Sequence, residues 1–105
     1  MYYFILVYLS YMELTKGQEN GLKKYLIKIS DGLFTDIDFF VNYMGAFPEL
    51  VIMSEVEWNK LPKEFAYNYE MWLKDNYSDQ VKNFLTMVDV PFRGRISFEI
   101  MNWPE

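Results

Sequence analysis

Rings set the folding problem for this chain. Its 105 residues include 9 Phe, 9 Tyr and 3 Trp, a fifth of the total. A single small core cannot house all of them, because a chain of this length buries only about 60–70% of its extended surface. Some rings must therefore lie at the surface or at an interface. One domain spanning residues 1–105 is expected at this length. Hydrophobic residues make up 51% of the sequence, far above a disordered composition, and 5 Gly with 4 Pro leave no long linker.

The sequence has no Cys and no His. Disulfides, thiolate catalysis and cysteine-containing zinc sites are thereby excluded. The usual general base near neutral pH and the commonest transition-metal ligand are also missing. Any catalysis would have to come from carboxylates, Tyr, Lys or Arg. No glycine-rich phosphate loop, nucleophile elbow or zinc-protease motif occurs. The chain is therefore expected to be non-enzymatic, with no cofactor and no bound metal. Small secreted domains lean on disulfides, so a cytoplasmic location is expected.

Met1 to Met12 reads MYYFILVYLSYM. It carries no basic leader and is far shorter than the roughly 20 apolar residues that span a bilayer. Apolar residues on both faces of Tyr2 to Tyr11 predict a buried strand, and no membrane association. Thr15 and Gln18 have capping-box spacing before Leu22, Tyr25, Leu26 and Ile29, which predicts a helix ending near Ser30 with Gly32 closing it. Asp31-Gly32 also fits a type I′ hairpin turn, but that register mixes acidic and apolar side chains, so the helix is preferred.

A second short helix is expected from Thr35, with Asp36 and Asp38 in its first turn and Ile37, Phe40, Val41 and Met44 as its stripe. Leu50 to Met53 reads as a short strand. Ser54 and Glu57 read as a second capping box, Pro62 as the opening of a helix to about Asn76, and Ser78 as the cap of a last helix ended by Pro91. Phe65, Ala66, Tyr69, Trp72 and Leu73 would face inward on the first of these, and Val81, Phe84, Leu85 and Val88 on the second. Arg95 to Met101 alternates cleanly, with Ile96, Phe98 and Ile100 on one face of a strand. The fold class expected is α+β. A small mixed sheet of about three strands, the N-terminal paired with the C-terminal, would pack against four to five short helices.

Net charge is −5, from 15 acidic and 10 basic residues. This opposes direct nucleic-acid binding and suits a protein partner with a basic surface. Lys23, Lys24 and Lys28 read as the solvated face of a helix, and Arg93-Gly94-Arg95 is a second basic pair. Asp36-x-Asp38 and Glu55-x-Glu57 come nearest to metal or acid/base motifs, but helix starts and caps explain them as well. The expected function is an acidic binding protein that inhibits a partner macromolecule, for example a nucleic-acid-handling enzyme. Small phage anti-defence and toxin-immunity proteins share this compositional character. The alternatives are a structural or homo-oligomeric scaffold subunit, including a homodimer, and a carboxylate-dependent hydrolase. The candidate contact residues are the acids Asp36, Asp38, Glu55, Glu57, Glu64, Glu70, Asp75 and Asp79, with Trp58, Tyr67 and Trp103 as aromatic anchors.

Overall fold

A computed structural model of the chain describes residues 14–43 and 47–104. The expected N-terminal strand and its pairing with the C-terminal strand lie outside the described residues. Those residues form an α+β unit in the order α1 (Lys16–Ile29), β1 (Phe34–Asn42), β2 (Glu49–Val56), α2 (Tyr69–Met87) and β3 (Arg95–Ile100). Two 3-10 turns, Trp58–Lys60 and Lys63–Phe65, stand between β2 and α2. The expected four to five helices are thus two helices and two short turns among the described residues.

α1 starts where its capping residues place it. Gln18 N–H donates to Thr15 Oγ1 at 3.1 Å and Thr15 N–H donates back to Gln18 Oε1 at 2.9 Å. At the other end, Asp31 N–H reaches the Lys28 carbonyl and Gly32 N–H the Ile27 carbonyl, at 3.2 and 3.3 Å. That pair of bonds is a Schellman closure, and Asp31 takes the left-handed position at φ 52°, followed by Gly32 at φ 81°. The left-handed dipeptide needed for a hairpin is therefore present, but a helix precedes it and a strand follows. Ser30 joins the two elements. It is buried, its hydroxyl donates to the Ile27 carbonyl, and it accepts from Phe34 N–H.

The helix expected from Thr35 is instead β1, antiparallel to β2. A bulge between Phe34 and Asp36 shifts the register, so Phe34 and Ile37 both point to the core although they are three apart. The expected stripe of Ile37, Phe40 and Val41 is split between two faces, and Met44 lies outside the described residues. Beyond the bulge, Ile37, Phe39 and Val41 face Ser54, Ile52 and Leu50. Phe40, assigned by its spacing to a buried stripe, is 54% exposed.

Leu50 to Met53 lies within β2, which runs on through Ser54. Ser54 is fully buried in mid-strand and caps nothing; its hydroxyl donates to the Ile52 carbonyl. The cap sits three residues later. Glu57 precedes the first 3-10 turn and accepts from Asn59 N–H at 3.3 Å.

The two helices expected around Ser78 are one helix of 19 residues. Asn68, rather than Pro62, caps it and accepts from Met71 N–H. Tyr69, Leu73, Tyr77, Val81 and Leu85 form an unbroken i, i+4 row. All are buried except Tyr77, which is partly so. This continuous apolar seam overrides the weak helix formers between Lys74 and Ser78. Ser78 lies inside the helix, and its buried hydroxyl has no hydrogen-bond partner in the structure. Phe65 and Ala66, expected on the inward stripe, precede the helix and are exposed.

α2 ends before Pro91, in a second Schellman closure. Asp89 N–H bonds to the Thr86 carbonyl and Val90 N–H to the Leu85 carbonyl, with Asp89 at φ 58°. An acid here opposes the helix dipole, and its Cβ is strained in the left-handed region. Asp89→Gly should raise stability by about 0.5–1 kcal/mol in urea unfolding; a loss would contradict this closure.

β3 lies parallel to β2, giving the order β1-β2-β3. One sheet face packs on α1 and α2 around Phe34, Leu22, Leu26, Ile52, Leu73 and Leu85, all at most 1% exposed. Rings continue this core outward. Phe98 stacks on Phe34, which meets Tyr77 edge-on, then Trp72, then Phe65 at the surface. Burial pushes the Tyr77 phenol pKa up. Among the described residues no helix is long and apolar enough to cross a membrane.

Candidate binding face

The ladder registers sort every strand residue by face. Opposite the helices, Asp36, Asp38, Phe40 and Asn42 of β1 line up with Glu55, Met53, Val51 and Glu49 of β2. Glu49, Val51 and Met53 in turn pair with Arg95, Ser97 and Glu99 of β3. Asp36 stands directly opposite Glu55, while Met53 lies between Asp38 and Glu99. Cross-strand neighbours of this kind hold their Cβ atoms about 4.5–5.5 Å apart, and like charges there are destabilising. A groove of about 260 Å³, lined by Asp36, Ile37, Asp38, Met53, Glu55 and Met101, runs along this face. A second, of about 310 Å³, lies between β1 and the start of α1, and shares Asp36, Ile37 and Asp38.

Lys23 of α1 forms an ion pair with Asp36 across that second groove. Hydrogen bonding to Lys23, the Ile37 N–H and the lysine charge together hold the Asp36 carboxyl below its ordinary pKa of 3.8. Because the folded value is depressed, this contact stabilises the fold above pH 3.8. The contribution fades as pH falls through the lowered value. In an NMR titration Asp36 should protonate below 3.8. Lys23→Ala should bring it back up toward that value; no movement would contradict the pairing.

The structure brings together three of the predicted acids, Asp36, Asp38 and Glu55, and scatters the others. Glu57 caps a turn. Glu64 is exposed in the second 3-10 turn, and Asp75 and Asp79 are exposed on α2. Glu70, expected to be solvated, is partly buried, and its Oε2 accepts from the Ile100 N–H of β3 at 2.9 Å. Tyr67 stands 87% exposed beside the α2 cap, away from the sheet.

Trp58 is built into the fold. Its Nε1 donates to the Asn102 carbonyl, and its ring lies 5.8 Å from Tyr69 and 5.1 Å from Trp103. The Asn102 side chain clamps Val56, accepting from its N–H and donating to its carbonyl. Trp103 is thus docked on the core edge, although half of it is exposed.

Sequence reasoning missed Glu99, Met53, Met101 and Phe40 as members of the acidic face. The alternation of Arg95 to Met101 placed Glu99 on an outward face, but only the parallel register to β2 sets it next to Met53. Among the described residues no three acidic side chains converge as metal ligands. Comparison with protein families, with curated proteins and with solved structures returned no match for this chain.

Proposed function

We propose that this protein is a non-enzymatic binding protein that occupies a basic surface of a partner protein through the acidic side of its sheet. The observation that carries the proposal is the placement of Asp36 against Glu55, with Asp38 and Glu99 flanking Met53. Lys23 already pairs with Asp36, so the charge left for a cationic surface to cover lies on Asp38, Glu55 and Glu99. The exposed rings and thioethers of Phe40 and Met101 supply apolar contact among the carboxylates.

Size sets the footprint. Three strands about 4.8 Å apart and some 20–30 Å long span at most roughly 400 Å² in projection, and Val51 at the centre of this face is buried, so the open footprint is under half of the ~800 Å² that each partner contributes to a stable interface. Contact must therefore extend over the α1 groove, where Lys16, Glu19, Asn20 and Lys23 lie. A partner whose working surface is basic, such as a nucleic-acid-handling enzyme, fits this charge, and occupying that surface inhibits it.

A hydrolase reading needs a general acid with a raised pKa. Asp36, one half of the closest carboxylate pair by register, is held in the opposite direction by Lys23. The binding reading predicts that affinity for the isolated partner weakens steeply between ~50 and ~300 mM salt, as the screening length shortens. It also predicts that added protein suppresses the partner's own activity. Salt-independent binding, or turnover by the pure protein, would overturn it.

A further inference from the structure

Two methionines meet on the outer face of the sheet. Met53 of β2 pairs with Glu99 of β3. Met101 N–H reaches the Ser54 carbonyl at 2.8 Å, which carries the parallel ladder one residue past Ile100 and sets Met101 beside Glu55. Met53 and Glu55 are two apart on one strand and share its outer side. Thioether and carboxylate therefore alternate around a block of four neighbouring positions, with the methionines on one diagonal. Met53, Met101 and Glu55 also line one groove, together with Asp36, Ile37 and Asp38. Strands about 4.8 Å apart, with a rise of about 6.6 Å over two residues, put the two methionine Cβ atoms about 8 Å apart. Both side chains are unbranched and flexible, and turned toward each other they bring their sulfurs to about 4.6 Å, the span of two metal–sulfur bonds of about 2.3 Å.

We propose that Met53 and Met101 bind a soft monovalent cation, Cu(I) or its analogue Ag(I), with the Glu55 carboxylate as the third ligand. Thioether sulfur selects Cu(I) over the hard divalent ions, and the carboxylate supplies the balancing charge. Mg²⁺ and Ca²⁺ need a shell of oxygens, and among the described residues no three acidic side chains converge to provide it. Structural zinc sites draw on Cys and His, which the chain lacks. Asp36 is engaged by Lys23, which leaves Glu55 as the carboxylate between the two sulfurs. Met101 is 57% exposed, so the ion enters directly from solvent. Met71 and Met87 are exposed too, but they stand near opposite ends of α2, about 24 Å apart, and cannot share an ion.

Silver nitrate in chloride-free buffer is the probe, followed through the methionine methyl signals in proton–carbon NMR. The Met53 and Met101 methyls should shift together and saturate at one equivalent, ahead of Met71 and Met87. Met53→Leu/Met101→Leu keeps the side-chain volume and should bind Ag(I) at least about tenfold more weakly than the wild type. Met71→Leu/Met87→Leu, which removes two thioethers from α2, should bind as the wild type does. Glu55→Gln should weaken binding by about three- to tenfold with the same two methyls responding. The single Met101→Leu change, at an exposed position, should show most of the loss and covers the case of a poorly folded double variant.

Wild-type affinity in both variants that lack Met101, or shifts at Met71 and Met87 that keep pace with Met53 and Met101, would overturn the proposal. Wild-type affinity in Glu55→Gln would remove the carboxylate from the ligand set and overturn the site in this form. None of these outcomes depends on a partner protein binding the sheet face.

Discussion

Gly94→Ala is expected to cost about 3 kcal/mol or more in urea unfolding, at the severe end for a single change. A Cβ at Gly94 would stand 1.7 Å from the Pro48 carbonyl oxygen and 2.8 Å from its carbon. Both are backbone atoms, so neither can swing aside as a side chain would. The two segments must separate, and Arg95 N–H then loses the Pro48 carbonyl that it holds at 3.1 Å. That bond opens the β2–β3 ladder, so the strain falls where the parallel pair begins. Gly17 is the control. Its nearest neighbour would be Thr15 Oγ1 at 3.9 Å, and Gly17→Ala in the first turn of α1 should gain about 0.5–1 kcal/mol. If the Gly94 variant unfolds with the wild-type midpoint, the close approach of Pro48 is wrong.

Phe34→Ala should cost about 3–5 kcal/mol, the usual range for emptying a buried aromatic site. Phe34 is fully buried, with Tyr77 at 5.0 Å edge-on and Phe98 at 5.9 Å in a stack. Its ring joins β1 to Tyr77 of α2 and to Phe98 of β3, so its loss loosens three elements at once. A second readout comes from Tyr77, whose phenol is raised by burial. Water entering the vacated site should lower that pKa toward 10.0, and an NMR titration that follows the Tyr77 ring in the folded variant reads this directly. Wild-type stability together with an unmoved Tyr77 would contradict this packing.

Local signals in the sequence were dependable where one element carried them alone. Thr15 with Gln18 marked the start of α1, and the alternation from Arg95 marked β3. The errors arose where a tertiary partner decides. The helix expected from Thr35 rests on Ile37, Phe40 and Val41; Ile37 and Val41, four apart, share a face in a helix and in a strand alike, and only β2 opposite reveals that Phe40 lies on the other face. Ser78 resembles a cap, yet the row from Tyr69 to Leu85 passes straight through it because the sheet supports every fourth side chain. The Asp31-Gly32 geometry was legible, but its use in closing a helix ahead of a strand was divided between two readings.

The acidic face was legible in part for the same reason. Asp36 and Asp38 are visible as a pair two apart. Their meeting with Glu55 depends on an antiparallel register, and the approach of Glu99 depends on a parallel crossover of nearly forty residues. No local pattern encodes either. Glu70 and Trp58 looked like surface contacts because nothing nearby in sequence reveals the Ile100 amide or the Asn102 carbonyl that engages each of them.

Isothermal titration of the isolated partner against three forms of the protein bears most directly on the acidic sheet. Asp38→Asn/Glu55→Gln/Glu99→Gln removes three charges from it, and Glu64→Gln/Asp75→Asn/Asp79→Asn removes three elsewhere. The first should bind at least about tenfold more weakly than the wild type and lose most of its salt dependence, while the second should stay within about twofold. Equal losses in both, or none in the first, would show that the carboxylates gathered on the sheet are not what the partner meets.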